Sequence, residues 1–234
     1  MKKSPFILLA FQVMVLVATA QKPVDRKYEF PIKPGSATWQ SFTTHKQMVE
    51  ATALPEKTAA GLTTRALLET CLDYPLLMDM MAFNTPQKGL EAVTRNFNGL
   101  QQLMTRKDVA VHLADAYQQR LATDINKLPS LYEKGKLSFQ LSFIEILFAQ
   151  RPVLGTVDKA IVALLKTHIT KALAFKTTHS EVFSATNSSY TMFFAGNLYR
   201  HFYKTEFSAA ALEFLTTGLL KDTTVIGEIE DLIR

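Results

Sequence analysis

From Thr44 onward the chain is a succession of helix start and stop signals, and this punctuation constrains the fold more than any other feature. Thr44-His45-Lys46-Gln47 has the pattern of a capping box. In it the threonine hydroxyl accepts from the fourth amide and the glutamine side chain reaches back to the cap amide. That helix stops before Pro55, since proline lacks an amide hydrogen and disfavours helical geometry in the residue before it. Residues 55–61 allow a short helix with Pro55 in its first turn. The stretch TTRALLETCLDYP starts after a threonine cap and ends before Pro75, which opens another short helix ending near Phe83. Thr85-Pro86 forms an N-cap and first-turn pair. After it, Leu90, Val93, Phe97, Leu100 and Met104 recur at helical spacing and mark one apolar face. Asn98-Gly99 is a point where that helix kinks or splits.

The second half reads the same way. Asp108 is placed to cap a helix with Val109, Leu113, Ala116, Tyr117 and Leu121 on its core face, and residues 129–135, Pro129 to Gly135, read as a loop. Residues 137–143 are ambiguous. Leu137, Phe139, Leu141 and Phe143 alternate like a strand, whereas Leu137, Leu141, Ile144 and Phe148 fit a helix, and the length of the apolar run favours a central helix buried nearly all round. Thr156 is the expected cap of a long helix reaching about Phe175. Three more helices follow, one aromatic-rich over Asn187 to Tyr203, one over Thr205 to Leu220, and a last one from Thr224 to Arg234. No fixed-period repeat stands out. A chain of 234 residues, 47% apolar with nine glycines and nine prolines, has material for one sizeable core and too few turn formers for an all-β fold. The expectation is an all-α domain of about nine helices over residues 39–234, arranged as an irregular multi-helix bundle or an α-α superhelix.

The N terminus differs in kind. Lys2 and Lys3 precede an apolar run of about fifteen residues, shorter than the ~20 a spanning helix needs, and Ala18-Thr19-Ala20 fits a small-residue cleavage site. Residues 1–20 therefore read as a signal peptide cut after Ala20, leaving an exported chain, periplasmic or extracellular, with no transmembrane anchor. Residues 21–38, with Pro23, Pro31, Pro34 and Gly35, read as an extended arm, and Trp39 and Phe42 are expected to pack onto the first helix. Without the two leader lysines there are 24 basic and 21 acidic residues, a charge of +3. That is too little to bind nucleic acid by charge alone.

The motifs of the common enzyme classes are missing. His45, His112, His168, His179 and His201 are all more than four residues apart, so none forms the local pair on which zinc sites usually rely. There is no G-x-S-x-G, P-loop or G-x-G-x-x-G. His112 and Asp115 share a helical face with Gln119 and read either as an acid/base pair or as a solvated face. His168 lies in the apolar stripe of Ile161, Leu164, Leu165 and Ala172, the setting of a core histidine bonded to backbone. His179-Ser180-Glu181 is not a triad, because adjacent side chains diverge; it reads as a loop leading into a helix cap. Tyr190, Phe193, Phe194, Tyr199, Phe202 and Tyr203 surround Arg200, His201 and Lys204, a ligand shelf or, from the four-residue spacing, a core stripe. The lysines of the long helix (Lys159, Lys166, Lys171, Lys176) scatter around its axis and form no nucleic-acid stripe. No catalytic, cofactor-binding or metal-ligating set emerges.

Cys71 is the single cysteine. It shares an apolar face with Leu67 and Leu68 and lies near the C-terminal end of its helix, where the dipole disfavours a thiolate. Glu69 and Asp73 add negative charge nearby, so the residue reads as a small core hydrophobe.

The segment Leu62 to Asp108, with its Leu-Thr-Thr-x-x-Leu start, Tyr-Pro-Leu-Leu turn and Phe-Asn-Gly-Leu, is similar to a helical segment of uncharacterised exported bacterial proteins. In some of those, such a segment precedes a separate domain whose Asn-Cys-His motif points to a cysteine peptidase or amidase; this chain has no Asn-Cys-His. The resemblance implies a helical accessory part. The expected role is a non-catalytic module contacting a protein or an envelope polymer. The alternative is a hydrolase of peptide or glycan, which would gather groups such as His112, Asp115 or His201 in one cleft. A module would instead expose an apolar or aromatic patch.

Overall fold

A computed structural model describes residues 23–234; the leader and the cut expected after Ala20 lie outside the described residues. The elements are α1 (Ala37–Gln40), α2 (His45–Ala51), α3 (Glu56–Gly61), α4 (Thr64–Leu72), a 3-10 helix Leu77–Ala82, α5 (Pro86–Asn96), α6 (Asn98–Leu103) and α7 (Val109–Leu121). After a 3-10 turn at Ile125–Lys127 come α8 (Leu131–Phe148), α9 (Arg151–Leu154), α10 (Lys159–Thr178), α11 (Ala185–Tyr203), α12 (Ala209–Thr217) and α13 (Thr224–Ile233). The fold is an all-α multi-helix bundle; among the described residues nine helices are seven residues or longer, in line with the expected nine or so. Among the described residues there is no strand. No helix there is long and apolar enough to cross a membrane.

Local chemistry sets most boundaries. The Thr44 capping box forms in full, and Thr85 accepts from the Lys88 amide with Pro86 in the first turn. The Leu90 to Met104 stripe breaks at Phe97, whose extended backbone ends α5 and opens α6. The ambiguous segment 137–143 is helical, in the middle of α8. This helix is the centre of the bundle, with Leu141, Ile144, Leu147 and Phe148 fully buried. α7 and α11 pack along it, and α10 closes over both. Phe148 stacks on Phe194 of α11 at 4.6 Å between ring centres. Each such side chain contributes about 1.5–3 kcal/mol by leaving water.

Three expectations are corrected. Of residues 129–135 only 129–130 stay outside a helix: Ser130 accepts from the Glu133 amide and starts α8, and Gly135 is tolerated inside the helix because its face is exposed. Asp158, not Thr156, caps α10, its Oδ1 accepting from the Ile161 amide at 2.8 Å; the Thr156 hydroxyl donates to the Val153 carbonyl behind it. Asp108 stands at the N-cap of α7 without capping it; its carboxylate accepts instead from the Thr64 hydroxyl at 2.7 Å. The short helix expected after Pro75 forms as the 3-10 helix Leu77–Ala82.

The described residues ahead of α1, 23–36, form no helix and are docked on the bundle; Ala37 and Thr38, expected in the arm, belong to α1. The Val24 amide donates to Gly61 and its carbonyl accepts from Thr63, an isolated parallel bridge. Further along, the Tyr28 amide donates to Thr70 Oγ1 at 2.9 Å, and Asp25 is gripped by Arg65 and Thr63. Phe30 is buried against Tyr74 and Phe97, which stack at 3.9 Å. Trp39 lies in α1 and its ring meets Phe42.

Candidate functional site

The docked arm forms one wall of the largest open hollow among the described pockets, about 720 Å³. Its floor is the end of α4 and the turn that follows (Leu72, Asp73, Tyr74, Pro75), and its far wall is α8, through Tyr132, Lys136 and Phe139. Tyr28, Phe30 and Pro34 come from the arm, and Leu77 and Met78 from the 3-10 helix. The lining is mostly apolar and aromatic, as ligand grooves usually are. Several of these side chains are open to solvent, with Met78 58% and Tyr132 74% exposed.

The 3-10 helix carries this character further. Met78 and Met81 stand on it, with Phe83 just after, all exposed. Two smaller apolar hollows flank the ridge. One is closed by His45 and Asp79, whose Nε2 and Oδ2 lie 2.6 Å apart; the other lies between Phe83, Tyr190 and Leu219. Gly89 holds the ridge against α5, since a Cβ there would lie 2.2 Å from the Met80 carbonyl oxygen. Methionine side chains are adaptable and polarizable, which suits a contact surface.

A second, polar hollow of about 500 Å³ adjoins the first. The two share Lys27, Asp73, Lys136 and Gln140. Asp73 accepts from Lys27 of the arm and pairs with Lys136 of α8 at 3.0 Å. Burial works against its charge, but the two lysines outweigh that and hold the carboxyl below its ordinary range. The polar hollow does gather His112 and Asp115, and with them Glu69 and Arg120. His201 is elsewhere, exposed near the end of α11 against Phe202. The gathered groups are largely paired: Arg120 binds Glu69 through two nitrogens at 2.9 and 3.2 Å, and His112 meets Asp108 at 3.3 Å. The one hydroxyl lining it, Thr123, donates to a backbone carbonyl of its own helix. Among the residues lining this hollow no hydroxyl or thiol is bonded to a base. No group of three metal-ligating side chains assembles among the described residues.

The other sequence candidates lie apart. Cys71 is fully buried and burial pushes its thiol far up, so it lacks the thiolate that reactivity needs. His168 is buried, but the expected backbone hydrogen bond is absent, and its Nδ1 has no partner. Burial, with Lys171 nearby, lowers its pKa and keeps it neutral. His179 ends α10 and lies 3.5 Å from Glu181, while Ser184 is the cap that follows. Tyr190, Phe193 and Phe194 are core; Tyr199 and Tyr203 sit beneath the Lys166 ammonium at 5.2 and 5.3 Å, a cation–π contact.

One cluster had no signal in the sequence. Lys176 of α10 and Glu145 of α8 form an ion pair with both side chains fully buried. The ammonium donates to both Glu145 oxygens (2.8 and 2.6 Å), to the Asn187 carbonyl and to Thr191 Oγ1. The Tyr117 and Thr191 hydroxyls donate to Glu145 as well. Burial lowers the Lys176 pKa against the pull of Glu145, and raises that of the Tyr117 phenol. The network joins four helices, α7, α8, α10 and α11, at the centre of the bundle.

Comparison with protein-family models, with curated proteins and with solved structures finds no match to this chain.

Proposed function

We propose that the chain is an exported, non-catalytic module that holds another protein through the aromatic groove between the arm, the end of α4 and α8. The observation that carries this reading is the groove itself: about 720 Å³ of open, mostly apolar surface, continued by the exposed Met78, Met81 and Phe83 ridge. Exposed apolar surface of this kind is normally covered by a partner. The charged groups between the groove and its polar neighbour are committed to one another, which suits a rigid recognition surface better than proton transfer.

An affinity pull-down from envelope extracts tests the reading. The wild type is expected to retain one defined protein, and Met78→Asp and Tyr132→Asp to lose it with unchanged melting. Both positions are exposed, so neither variant disturbs the core. Retention of the same protein by both variants would sink the proposal. The hydrolase reading keeps one supporting observation, the meeting of His112 and Asp115 in the polar hollow; turnover of a peptide or glycan library that His112→Ala abolishes would establish it.

A further inference from the structure

We infer that the groove recognises an extended acidic segment of its partner, seating an apolar or aromatic side chain against Tyr28, Met78 and Phe139 while a carboxylate reaches Lys27 and Lys136. The inference rests on the groove reading above and adds the chemistry of the occupant.

This face already binds one extended, proline-interrupted segment, the protein's own arm. The arm is held by backbone bonds at Val24, a Thr70 hydroxyl at Tyr28 and the inserted Phe30 ring. The groove runs alongside it, with Lys27 to Phe30, Lys33 and Pro34 in its lining. A second extended segment laid beside the first meets aromatic rings, prolines and Gln140 rather than the unbroken apolar tunnel an acyl chain would need.

The groove also carries an excess of positive charge: three lysines, Lys27, Lys33 and Lys136, against two carboxylates, Glu29 and Asp73. Glu29 meets Lys33 at 3.1 Å and Lys27 at 3.7 Å. Lys27 and Lys136 converge on the single carboxylate of Asp73 from two different elements, so one positive charge is left over. Both ammonium side chains remain reachable, 39% and 42% exposed. Asp73 thus occupies the position of an incoming carboxylate and competes with it, and its charge is removable by mutation without changing shape. Both ammonium groups are partly open to solvent, which screens the pairing, so the preference between an acidic segment and its amide counterpart is about 2- to 5-fold per carboxylate.

The test uses the purified full chain and synthetic extended peptides carrying two prolines, one aromatic residue and either Glu, Gln or Lys at the remaining positions. The Glu set is expected to bind about 2- to 5-fold or more tightly than the Gln set, and the Lys set weakest. Lys136→Gln changes a half-exposed side chain of α8 and should erase the Glu preference. Asp73→Asn should raise affinity for the Glu set and leave the Gln set unchanged. Equal binding of Glu and Gln sets, or a Lys136→Gln variant that keeps the preference, overturns the inference. So does displacement of the peptide by vesicles of anionic phospholipid, which would assign the groove to a membrane surface. If no peptide set binds while Met78→Asp and Tyr132→Asp still abolish capture of a protein partner, the acidic-segment inference falls and the groove reading stands.

Discussion

Replacing Lys176 by methionine removes the cation from the centre of the bundle and leaves the Glu145 carboxylate in a fully buried site. The ammonium donates to both carboxylate oxygens, the Asn187 carbonyl and Thr191 Oγ1. Without it, Glu145 keeps only the Tyr117 and Thr191 hydroxyls, two neutral donors for a full charge. Breaking a buried pair in this way costs about 3–5 kcal/mol, a large part of the ~5–15 kcal/mol that holds a domain together. For a domain of this size each kcal/mol moves the melting temperature by ~2–4 °C, so the expected drop is about 6–20 °C. Glu145→Gln alone should also destabilise, because it strands the Lys176 ammonium. The double variant, Lys176→Met with Glu145→Gln, strands neither charge and should lose clearly less than the two single losses added together. Chemical denaturation followed by far-UV circular dichroism measures all four corners of the cycle. A Lys176→Met loss below ~1 kcal/mol, the size of an exposed pair, or additive losses would refute a dry, mutually dependent pair.

Three further outcomes follow from the same contacts. Cys71 should resist thiol reagents at neutral pH until the protein is denatured, since it is buried and its thiol is pushed up; rapid labelling of the folded protein would contradict this. Asp73 has its pKa lowered on folding, so its pairing adds stability above its unfolded value of ~4, and the contribution is lost as the pH falls through the lower folded value. Asp73→Asn should therefore be less stable than wild type at neutral pH, and the gap should close in acid; a gap independent of pH would contradict the assignment. Gly89→Ala should lower the melting temperature although alanine favours helix by about 1 kcal/mol. The new methyl meets the Met80 carbonyl, and overpacking of that kind costs ~1–3 kcal/mol; a rise in stability would show that the 3-10 ridge yields.

The parts of the fold that are legible in the sequence are those decided locally. The Thr44 box, the Thr85-Pro86 pair and the stripe from Leu90 to Met104 each need only neighbours within a turn or two. Residues 129–135 misread for the converse reason: Pro129 and Gly135 are turn formers by composition, while the helix that overrides them is stabilised by the burial of α8 much further along. Asp108 misread because its best partner, Thr64, is 44 residues away. The candidate site is less legible still. It joins Tyr28 and Phe30 of the arm, Tyr74 after α4, Met78 of the 3-10 helix and Phe139 of α8, and no periodicity links those positions. His112 and Asp115 were visible as a pair one turn apart, but not their meeting with Glu69 and Arg120. Lys176 and Glu145 are 31 residues apart, and no local pattern pairs them. A helical wheel cannot show that two such positions face each other across the core.

The most direct measurement of the groove's role is site-specific photo-crosslinking in the cells that make the protein. A photoreactive side chain replaces Tyr132, on the groove, and in a second variant replaces Asp231, an exposed residue on α13 outside the groove lining. A groove that holds a protein partner gives one defined protein adduct from position 132 and none from position 231. The account is contradicted by no protein adduct at position 132, or by the same adducts from both positions.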